Sequence, residues 1–339
     1  MTNSLVSINL VVFNGEKYIR HCLDSVVRQT YPNIEVNILD NASTDNTAKI
    51  IEKEYPKFKF TKNDKNVGMW PGQEKLLEYS GGEYVVVLSV DVILNPDFIE
   101  QAVRIMGDDS KIGAIQGKIY QWQLIQDDPK FSKTIDTLGF KISRSRRLIN
   151  IAQGDENRPE FDRDGEILAV EGAVPVFRRQ TLEDCRLETQ NGKIIDPDFF
   201  WYGDDLDLTW RMRIFGWKQF YSSRVIAYHD RSTTKNIKKH WYDYFSRVKK
   251  RKQIPIKKRQ LDWANYRFVL IKNDQNIFRD LPFILVREIM VLGYTLLIEP
   301  GIFLELPRFF KLLPRMLIRR KEIMKKTKIS AIEIHRWFV

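Results

Sequence analysis

Two acidic segments carry the side chains of this sequence that are best suited to chemistry. Ser89-Val90-Asp91 closes an apolar, strand-like run, and Asp204-Asp205-Leu206-Asp207 opens an amphipathic, helix-like run much later in the chain. A carboxylate at the end of a strand, facing another at the start of a helix, can hold a metal-bound phosphate and can take the proton of an attacking hydroxyl. The pairing predicts a site where a phosphorylated substrate and a hydroxyl group meet.

The first part of the chain alternates between the hydrophobic periods of strands and of helices. The predicted strands cover residues 6–13, 34–39, 58–61, 84–88 and 112–119, and the predicted helices cover residues 15–29, 45–54, 72–79 and 96–106. This order predicts an α/β fold with a parallel, doubly wound sheet, in which ligands bind at the carboxyl ends of the strands. Asn14, Asp40 and Asp91 each follow a predicted strand, so we expect them to share one crevice.

The middle of the chain has a less regular pattern. Residues 121–165 are polar, include a basic cluster around Arg146, and are predicted to form a loop or flap. Strand character returns at 167–177. A last short strand is predicted at 225–228, immediately before His229.

Composition limits the classes of protein to consider. The 339 residues suffice for one large domain or two modest ones. Two cysteines, Cys22 and Cys185, imply no disulfide framework and favour a reducing compartment. The short apolar stretch near the N-terminus has no basic region before it, so it predicts a strand and not a signal peptide.

Charge is distributed unevenly along the chain. Residues 231–339 hold 26 Lys and Arg against 9 Asp and Glu, a net charge of +17, whereas residues 1–230 carry a net charge of −6. A basic region of this kind suits an anionic membrane surface or a nucleic acid. Its lysines alternate with large apolar residues at helical spacing, which favours a lipid surface and argues against nucleic acid.

Residues 281–314 of this basic region are apolar and contain four prolines. The longest uncharged run, 289–298, is shorter than the roughly 20 residues that span a bilayer. The pattern predicts one or two helices in the membrane interface, with residues 308–328 as the positive face. The alternative is an ordinary helical subdomain that packs on the rest of the protein.

An ordered series of short segments resembles glycosyltransferase family 2, and in particular its rhamnosyltransferase-like bacterial members. The matching segments are residues 6–18, Gln29-Thr30-Tyr31-Pro32-Asn33, Asp40-Asn41-Ala42-Ser43-Thr44-Asp45, Asn66-Val67-Gly68, Gly82-Glu83-Tyr84-Val85, Gly172-Ala173, Phe177-Arg178-Arg179, residues 202–208, Gly216-Trp217 and His229. The resemblance covers residues 5–232, and it is specific as a series although no single segment is.

This resemblance implies a GT-A fold, a Rossmann-like, mostly parallel sheet that is flanked by helices and binds a nucleotide-sugar. It implies an inverting reaction that uses Mg2+ or Mn2+ and a UDP-, dTDP- or GDP-linked sugar. We expect a catalytic domain at 1–232 and a basic, helical, membrane-associated region at 233–339.

The resemblance also implies roles for the acidic residues. Asp91 matches the metal-binding position of the family's D-x-D motif, with Ser89 in place of the first acidic residue, and His229 is a second candidate ligand. Asp205 matches the family's catalytic base, and Asp204 stands in place of the usual Glu. The alternatives are that Asp91 caps a turn, that His229 is structural, and that Asp204, Asp205 and Asp207 stabilise the N-terminus of a helix.

Further candidates follow from the same match. The expected nucleotide-sugar contacts are Phe13, Asn14, Asp40, Asn41, Asp45, Asn66, Gly68 and Val90. Asp45 is equally suited to cap the following helix. Trp201 and Tyr202 are candidates for sugar or acceptor contacts, and core packing is the alternative.

The sequence thus predicts a glycosyltransferase of cell-envelope polysaccharide biosynthesis. It would act on a lipid-linked or cell-surface glycan acceptor, as a peripheral protein at the cytoplasmic face of the plasma membrane. Because Ser89 departs from the family pattern, a catalytically degenerate scaffold that binds nucleotide-sugar or membrane is the alternative. A dinucleotide-dependent oxidoreductase is disfavoured because no G-x-G-x-x-G segment follows the first strand.

Overall fold

A computed structural model describes residues 3–230 and 251–339. The strands are β1 Val6–Val12, β2 Ile34–Asp40, β3 Lys59–Lys62, β4 Tyr84–Leu88, β5 Val92–Leu94, β6 Ile112–Ile125, β7 Asp128–Thr137, β8 Phe140–Ile142, β9 Leu148–Asn150, β10 Gly165–Ile167, β11 Val176–Arg178 and β12 Lys218–His229. The helices are α1 Ile19–Val27, α2 Thr47–Glu54, α3 Met69–Tyr79, α4 Phe98–Asp108, α5 Arg179–Asp184, α6 Asp204–Ile214, α7 Ile256–Asn273, α8 Leu281–Ile298, α9 Leu306–Lys325 and α10 Ala331–His335. The expected boundary at 232/233 lies outside the described residues.

The large sheet has the strand order β10-β12-β6-β11-β4-β1-β2-β3. Strands β3, β2, β1 and β4 are mutually parallel, as the β-α alternation predicts. Strand β11 is antiparallel to β4 and to β6, and β12 is parallel to β6. The predicted α/β fold with helices on a mostly parallel central sheet is confirmed.

Both faces of the sheet are buried, as is usual for parallel sheets. In β4, Val86 and Leu88 join the apolar cluster under α1, α2 and α4, whereas Val85 and Val87 join the cluster under α3 and α6. Because side chains alternate along each strand, the two faces of the sheet are covered by two different sets of helices. Ligands can therefore reach the sheet at the carboxyl ends of β1 and β4.

The prediction of a loop or flap at residues 121–165 is wrong. Strand β6 continues to Ile125 and pairs with β7 as an antiparallel hairpin, and β8 pairs with β9. The hairpin escaped detection because the first half of β7 is largely exposed, so it lacks the apolar alternation that marks a half-buried strand.

Three of the C-terminal helices pack on the rest of the protein. Ala264 and Phe268 of α7 and Met316 of α9 are fully buried in the same apolar cluster as Phe177 of β11 and Trp210 of α6. Burial of a side chain as large as Phe268 stabilises the fold by about 2–3 kcal/mol. Much of the C-terminal region is thus a packed helical layer, the alternative that the sequence left open.

Buried ion pairs join this layer to the rest of the protein. Lys272 Nζ lies 2.6 Å from Asp196 Oδ2 and 2.7 Å from Asp207 Oδ2. Arg146, from the expected flap, pairs with Asp274 and Asp280 at 2.6 and 2.7 Å. The charge of Lys272, from the basic C-terminal region, is therefore neutralised by two aspartates of residues 1–230.

Helix α8 behaves differently, because its apolar surface faces outward. Its exposed large apolar side chains are Leu281, Phe283, Leu285, Val286, Ile289, Met290, Leu292, Leu296 and Leu297. In the described part of the chain it is the one helix long and apolar enough to cross a membrane by length and composition, with a mean hydropathy of 1.9. The uncharged run 289–298 understates the length of this helix, because the helix also includes Arg287 and Glu288. These two charged residues form an ion pair at 2.5 Å.

Candidate active site

A cavity of about 460 Å³ opens at the carboxyl ends of β1 and β4 and at the N-terminus of α6. Most of the residues proposed from the sequence line it together. They are Phe13, Asn14, Asn41, Asn66, Gly68, Val90, Asp91, Trp201, Tyr202, Asp204, Asp205 and His229. The two acidic segments, separated in sequence, therefore face one open cavity.

Asp40 and Asp45 do not line this cavity. Asp40 is buried at the end of β2, where its Oδ1 accepts a hydrogen bond of 3.2 Å from the Ser43 N–H. Asp45 accepts hydrogen bonds from the backbone N–H groups of Thr47, at 3.0 Å, and of Glu16, at 3.1 Å. Asp45 thus holds the segment just before α2, whose N-cap residue is Asn46.

Asp91 is held by its backbone in the turn between β4 and β5. Its carbonyl oxygen accepts hydrogen bonds from the Trp122 indole N–H, at 2.9 Å, and from the Asp230 N–H, at 3.0 Å. The turn itself is closed by a bond of 3.2 Å from the Val92 N–H to the Ser89 carbonyl. Both bonds to Asp91 come from distant segments and fix where its side chain enters the cavity.

His229 connects Asp91 to a buried aspartate of the hairpin. Its Nδ1 donates to Asp136 Oδ2 at 2.9 Å, and its Nε2 lies 3.4 Å from Asp91 Oδ2. Burial lowers the pKa of His229, but the carboxylates of Asp91 and Asp136 outweigh burial and raise that pKa to about 10. Asp136 therefore orients the imidazole ring of His229, and Nε2 of that ring faces the carboxylate of Asp91.

Sequence reasoning missed Asp136. It lies in β7, within the segment that was expected to be a loop, and no local pattern relates it to His229, 93 residues away. Sequence reasoning also missed Tyr18, which lines the cavity and donates to Asp230 Oδ2 at 3.0 Å. Burial and Asp230 raise the pKa of Tyr18 to about 12, so its hydroxyl keeps its proton.

Asp205 is positioned by two tight backbone features. A Cβ added at Gly172 would lie 3.1 Å from both Cβ and Oδ2 of Asp205, so a side chain at position 172 would push Asp205 away by a few tenths of an ångström. Tyr202 and Gly203 adopt φ values of 66° and 88°, which turn the chain sharply into α6. Asn265 of α7 secures that turn, since its Nδ2 donates to the carbonyls of Trp201, at 2.8 Å, and of Tyr202, at 3.0 Å.

The three aspartates at the start of α6 have different environments. Asp204 is buried, and burial together with the charge of Asp205 raises its pKa, which favours the neutral form. Burial also acts to raise the pKa of Asp207, but Lys272 and Arg211 outweigh it and lower that pKa. Asp205 is the member of the three that is both partly exposed and directed to the cavity.

The opposite wall is a loop held by Asn41. Its Nδ2 donates to Asn66 Oδ1 at 2.9 Å and to the Gly68 carbonyl at 3.0 Å. Gly68 has a φ of 93°, and a Cβ there would meet the Phe200 carbonyl oxygen at 2.7 Å. Glycine therefore lets this loop touch the segment that carries Trp201.

Family comparison identifies the first part of the chain. The model of the family described as "Glycosyl transferase family 2" matches residues 7–154. Residues 7–154 are therefore similar to glycosyltransferase family 2. EpsH of Bacillus subtilis (strain 168), described as a glycosyltransferase, is 35% identical over 33% of this chain and 33% of that protein. The poly-beta-1,6-N-acetyl-D-glucosamine synthase of Staphylococcus epidermidis is 23% identical over 66% of this chain and 49% of that protein. The chain thus matches one third to one half of the length of these relatives.

Solved structures show the same fold at low sequence identity. GalNAc-T7 with UDP, GalNAc and Mn2+ superposes with a TM-score of 0.58 at 14% identity, covering 79% of this chain and 48% of that chain. S. aureus TarS 1–349 in complex with UDP gives 0.55 at 16% identity, covering 98% of this chain and 89% of that chain. These similarities confirm the GT-A fold of this chain.

The donor set of the cavity fits a divalent cation. Among residues 3–230 and 251–339, no group of three or more His, Cys, Asp and Glu side chains has the arrangement of a complete metal site. Mg2+ and Mn2+, however, commonly take one or two protein ligands and complete their shell with phosphate and water. Asp91 Oδ2 and His229 Nε2 would form such a pair once the ring gives up the Nε2 proton that its raised pKa favours, with Asp136 orienting the histidine as a carboxylate partner does in metal sites.

Proposed function

We propose that this protein is an inverting glycosyltransferase that moves a sugar from a nucleotide-diphospho-sugar to a lipid-linked or cell-surface glycan acceptor. The similarity of residues 7–154 to glycosyltransferase family 2 supports sugar transfer. The observation that carries the proposal is that Asp91, His229 and Asp205 line one cavity of about 460 Å³, a volume suited to a small ligand.

Asp205 is the proposed base. In a single displacement, the acceptor hydroxyl bonds to the anomeric carbon, the bond from that carbon to the diphosphate breaks, and Asp205 takes the hydroxyl proton. The raised pKa of buried Asp204 supports this assignment. Two adjacent carboxyl groups divide their roles when one stays neutral, which leaves the partly exposed Asp205 as the proposed base.

Asp91 and His229 are the proposed ligands of Mg2+ or Mn2+, which would neutralise the charge of the leaving diphosphate. GalNAc-T7, a structure of the same fold, carries UDP and Mn2+. Phe13, Asn14, Val90 and the Asn66–Gly68 loop are the proposed contacts of the nucleotide-sugar. Asp40 and Asp45 would support that wall from behind it.

The exposed apolar face of α8 supports a location at the cytoplasmic face of the plasma membrane. A folded protein rarely leaves so many contiguous apolar side chains in water. The basic residues of α9, on the next helix, would face anionic headgroups. The lipid surface would bring the enzyme to an acceptor that is itself anchored there.

Substitution of the base tests the reaction. We expect Asp205→Asn to lower donor turnover by a factor of 100 to 10,000, roughly the contribution of a general base. Thermal shift with a panel of UDP-, dTDP- and GDP-sugars should show unchanged donor binding, because the amide keeps the size of the side chain. The exposed residue Asp64 provides the control Asp64→Asn. Unchanged turnover in Asp205→Asn would remove the base assignment.

Vesicle binding tests the location. Deletion of residues 281–339 would remove Met316 and Ile323 from the core, so substitutions on the exposed face are the better probe. We expect the triple change Leu285→Ser, Ile289→Ser, Leu296→Ser to abolish co-sedimentation with anionic vesicles while the melting temperature stays within a few degrees. Equal binding by the wild type and this variant would reject α8 as the membrane contact.

A non-catalytic nucleotide-sugar-binding scaffold is the second candidate, favoured by Ser89 at the first position of the D-x-D motif. The Ser89 hydroxyl cannot replace a carboxylate as a strong cation ligand. Hydrolysis of the donor by purified protein with Mn2+, and its loss in Asp91→Asn, would decide for the enzyme. Donor binding without any turnover would decide for the scaffold.

A further inference from the structure

A second cavity, of about 580 Å³, lies beside the active site and shares Phe200 and Trp201 with it. Its other lining residues come from the first turns of α7 and α9 and from the segment before Phe200: Asp198, Lys257, Lys258, Leu261 and Arg308. The C-terminal helical layer therefore builds one wall of a pocket that adjoins the proposed site of sugar transfer.

The walls of this pocket carry excess positive charge. The two carboxylates in and beside it are each shared by two cations. Glu305 pairs with Lys257 and with Arg308, both at 2.8 Å. Asp198 pairs with Arg315 at 3.1 Å and with Arg319 at 2.6 Å.

Lys258 is an additional cation, and within residues 3–230 and 251–339 it has no ion-pair partner. Its Nζ lies 3.6 Å from the centroid of the Trp201 ring, so the indole face is its principal contact. Burial lowers the pKa of Lys258, which means that its charge is held at some cost in the absence of an anion. An anionic ligand in the pocket would remove that cost.

Apolar surface borders the same pocket. Ile256, next to Lys257, is 42% exposed, and Leu304, next to Glu305, is 78% exposed. The segment Pro300–Glu305, which joins α8 to α9, packs on the start of α7, since a Cβ at Gly301 would lie 3.4 Å from Ile256 Cδ1. The segment that leads from α8 to α9 therefore lies against the start of the helix that carries Lys257 and Lys258.

We propose that this pocket binds the phosphate or diphosphate group of a lipid-linked acceptor, with Lys258 and Arg308 as its cationic contacts and Trp201 as the wall that it shares with the site of transfer. The acceptor sugar would then extend past Trp201 towards Asp205, and the lipid chain would extend over Ile256 and Leu304. This inference rests on the proposed function for the acceptor class.

The affinity of lysine variants for a single-chain lipid phosphate tests the proposal. Farnesyl phosphate is titrated calorimetrically into the full-length protein, which is first saturated with the nucleoside diphosphate that stabilises it best, so that the donor site is occupied. We expect Lys258→Gln to weaken binding about tenfold, and Lys258→Arg to retain it. The exposed lysine of the same segment provides the control Lys252→Gln, which should bind as the wild type does.

Two further ligands identify what is recognised. Farnesol, which lacks the phosphate, should bind at least tenfold more weakly than farnesyl phosphate. If inorganic phosphate binds as tightly as farnesyl phosphate, and Lys258→Gln weakens that binding as well, the pocket is an anion site but its ligand is not a lipid phosphate. Equal affinity of the wild type and Lys258→Gln for farnesyl phosphate would overturn the proposal. The titration involves no sugar transfer, so its result is independent of the Asp205→Asn test.

Discussion

His229 donates a hydrogen bond of 2.9 Å from Nδ1 to the buried carboxylate of Asp136, and this bond turns Nε2 towards Asp91, 3.4 Å away. A carboxylate behind a histidine fixes which ring nitrogen faces a metal and raises the basicity of that nitrogen. The three side chains come from β7, β12 and the turn after β4, so the arrangement depends on the pairing of β6 with both β7 and β12.

Removing the charge of Asp136 should weaken metal binding without removing a metal ligand. We expect Asp136→Asn to raise the Mn2+ concentration for half-maximal donor hydrolysis by about 10- to 100-fold, the usual effect of losing such a partner. Nucleotide binding in the absence of metal should be unchanged. The matched control is Asp128→Asn, an exposed aspartate at the start of the same strand. An unaltered Mn2+ dependence would argue against this role.

Crowding Asp205 from behind should impair turnover more than donor binding. A methyl group at position 172 would lie 3.1 Å from Asp205 and 3.3 Å from the Trp70 ring, so Gly172→Ala must displace one of them. We expect kcat to fall about tenfold or more, because small errors in the placement of a base are costly, while KM for the donor changes little. Gly165→Ala, where nothing lies within 4 Å, is the control in steady-state kinetics. Equal kcat in both variants would contradict the positioning of Asp205 by Gly172.

Loss of the Asn265 amide should loosen the turn before α6. Both of its bonds go to carbonyls of the turn that contains Tyr202, whose positive φ is unfavourable for a residue with a side chain. We expect Asn265→Asp, which replaces the donor with an acceptor, to lower the free energy of unfolding by about 1–3 kcal/mol. Donor turnover should fall as well, since Asp205 follows this turn. Denaturant unfolding and initial rates measure the two effects, and full activity at reduced stability would restrict Asn265 to a structural role.

The contact between Arg146 and the C-terminal layer should make stability depend on pH. Burial acts to raise the pKa of Asp280, but Arg146, His335 and Arg144 outweigh it and lower that pKa to about 2. A lowered pKa means that the charged carboxylate stabilises the fold above the unfolded-state value near 4, and that this contribution is lost as pH falls from about 4 to about 2.

We therefore expect Asp280→Asn to reduce the free energy of unfolding at pH 7 by about 3 kcal/mol, as breaking a buried ion pair does. The difference from the wild type should shrink as the pH of the denaturant titration is lowered from 4 towards 2. The exposed-site control Asp64→Asn should show no such convergence. A difference that stays constant over this interval would mean that Asp280 does not act through its charge.

Local sequence patterns predicted the elements around the site well but not the contacts between them. The parallel strands β1 to β4 follow from apolar runs separated by helical periods, and Asp91 and Asp205 lie at the ends of such runs. The hairpin of β6 and β7 was missed because an exposed strand has no apolar alternation to detect. The sequence pattern around Asp45 fits either a ligand contact or a helix cap. In the structure its carboxylate accepts hydrogen bonds from the N–H groups of Thr47 and Glu16.

The sequence by itself determined the resemblance to glycosyltransferase family 2, the α/β fold and the acidic residues at the edge of the sheet, because these depend on periodicity and on short ordered segments. Only the tertiary structure decided that Asp136 supports His229 and that Lys272 neutralises Asp207. It also decided which C-terminal helices are buried and which one is exposed. The physical reason is that ion pairs and packing join residues far apart in the chain, 93 residues in the first case and 65 in the second, and such contacts leave no periodic pattern in the sequence.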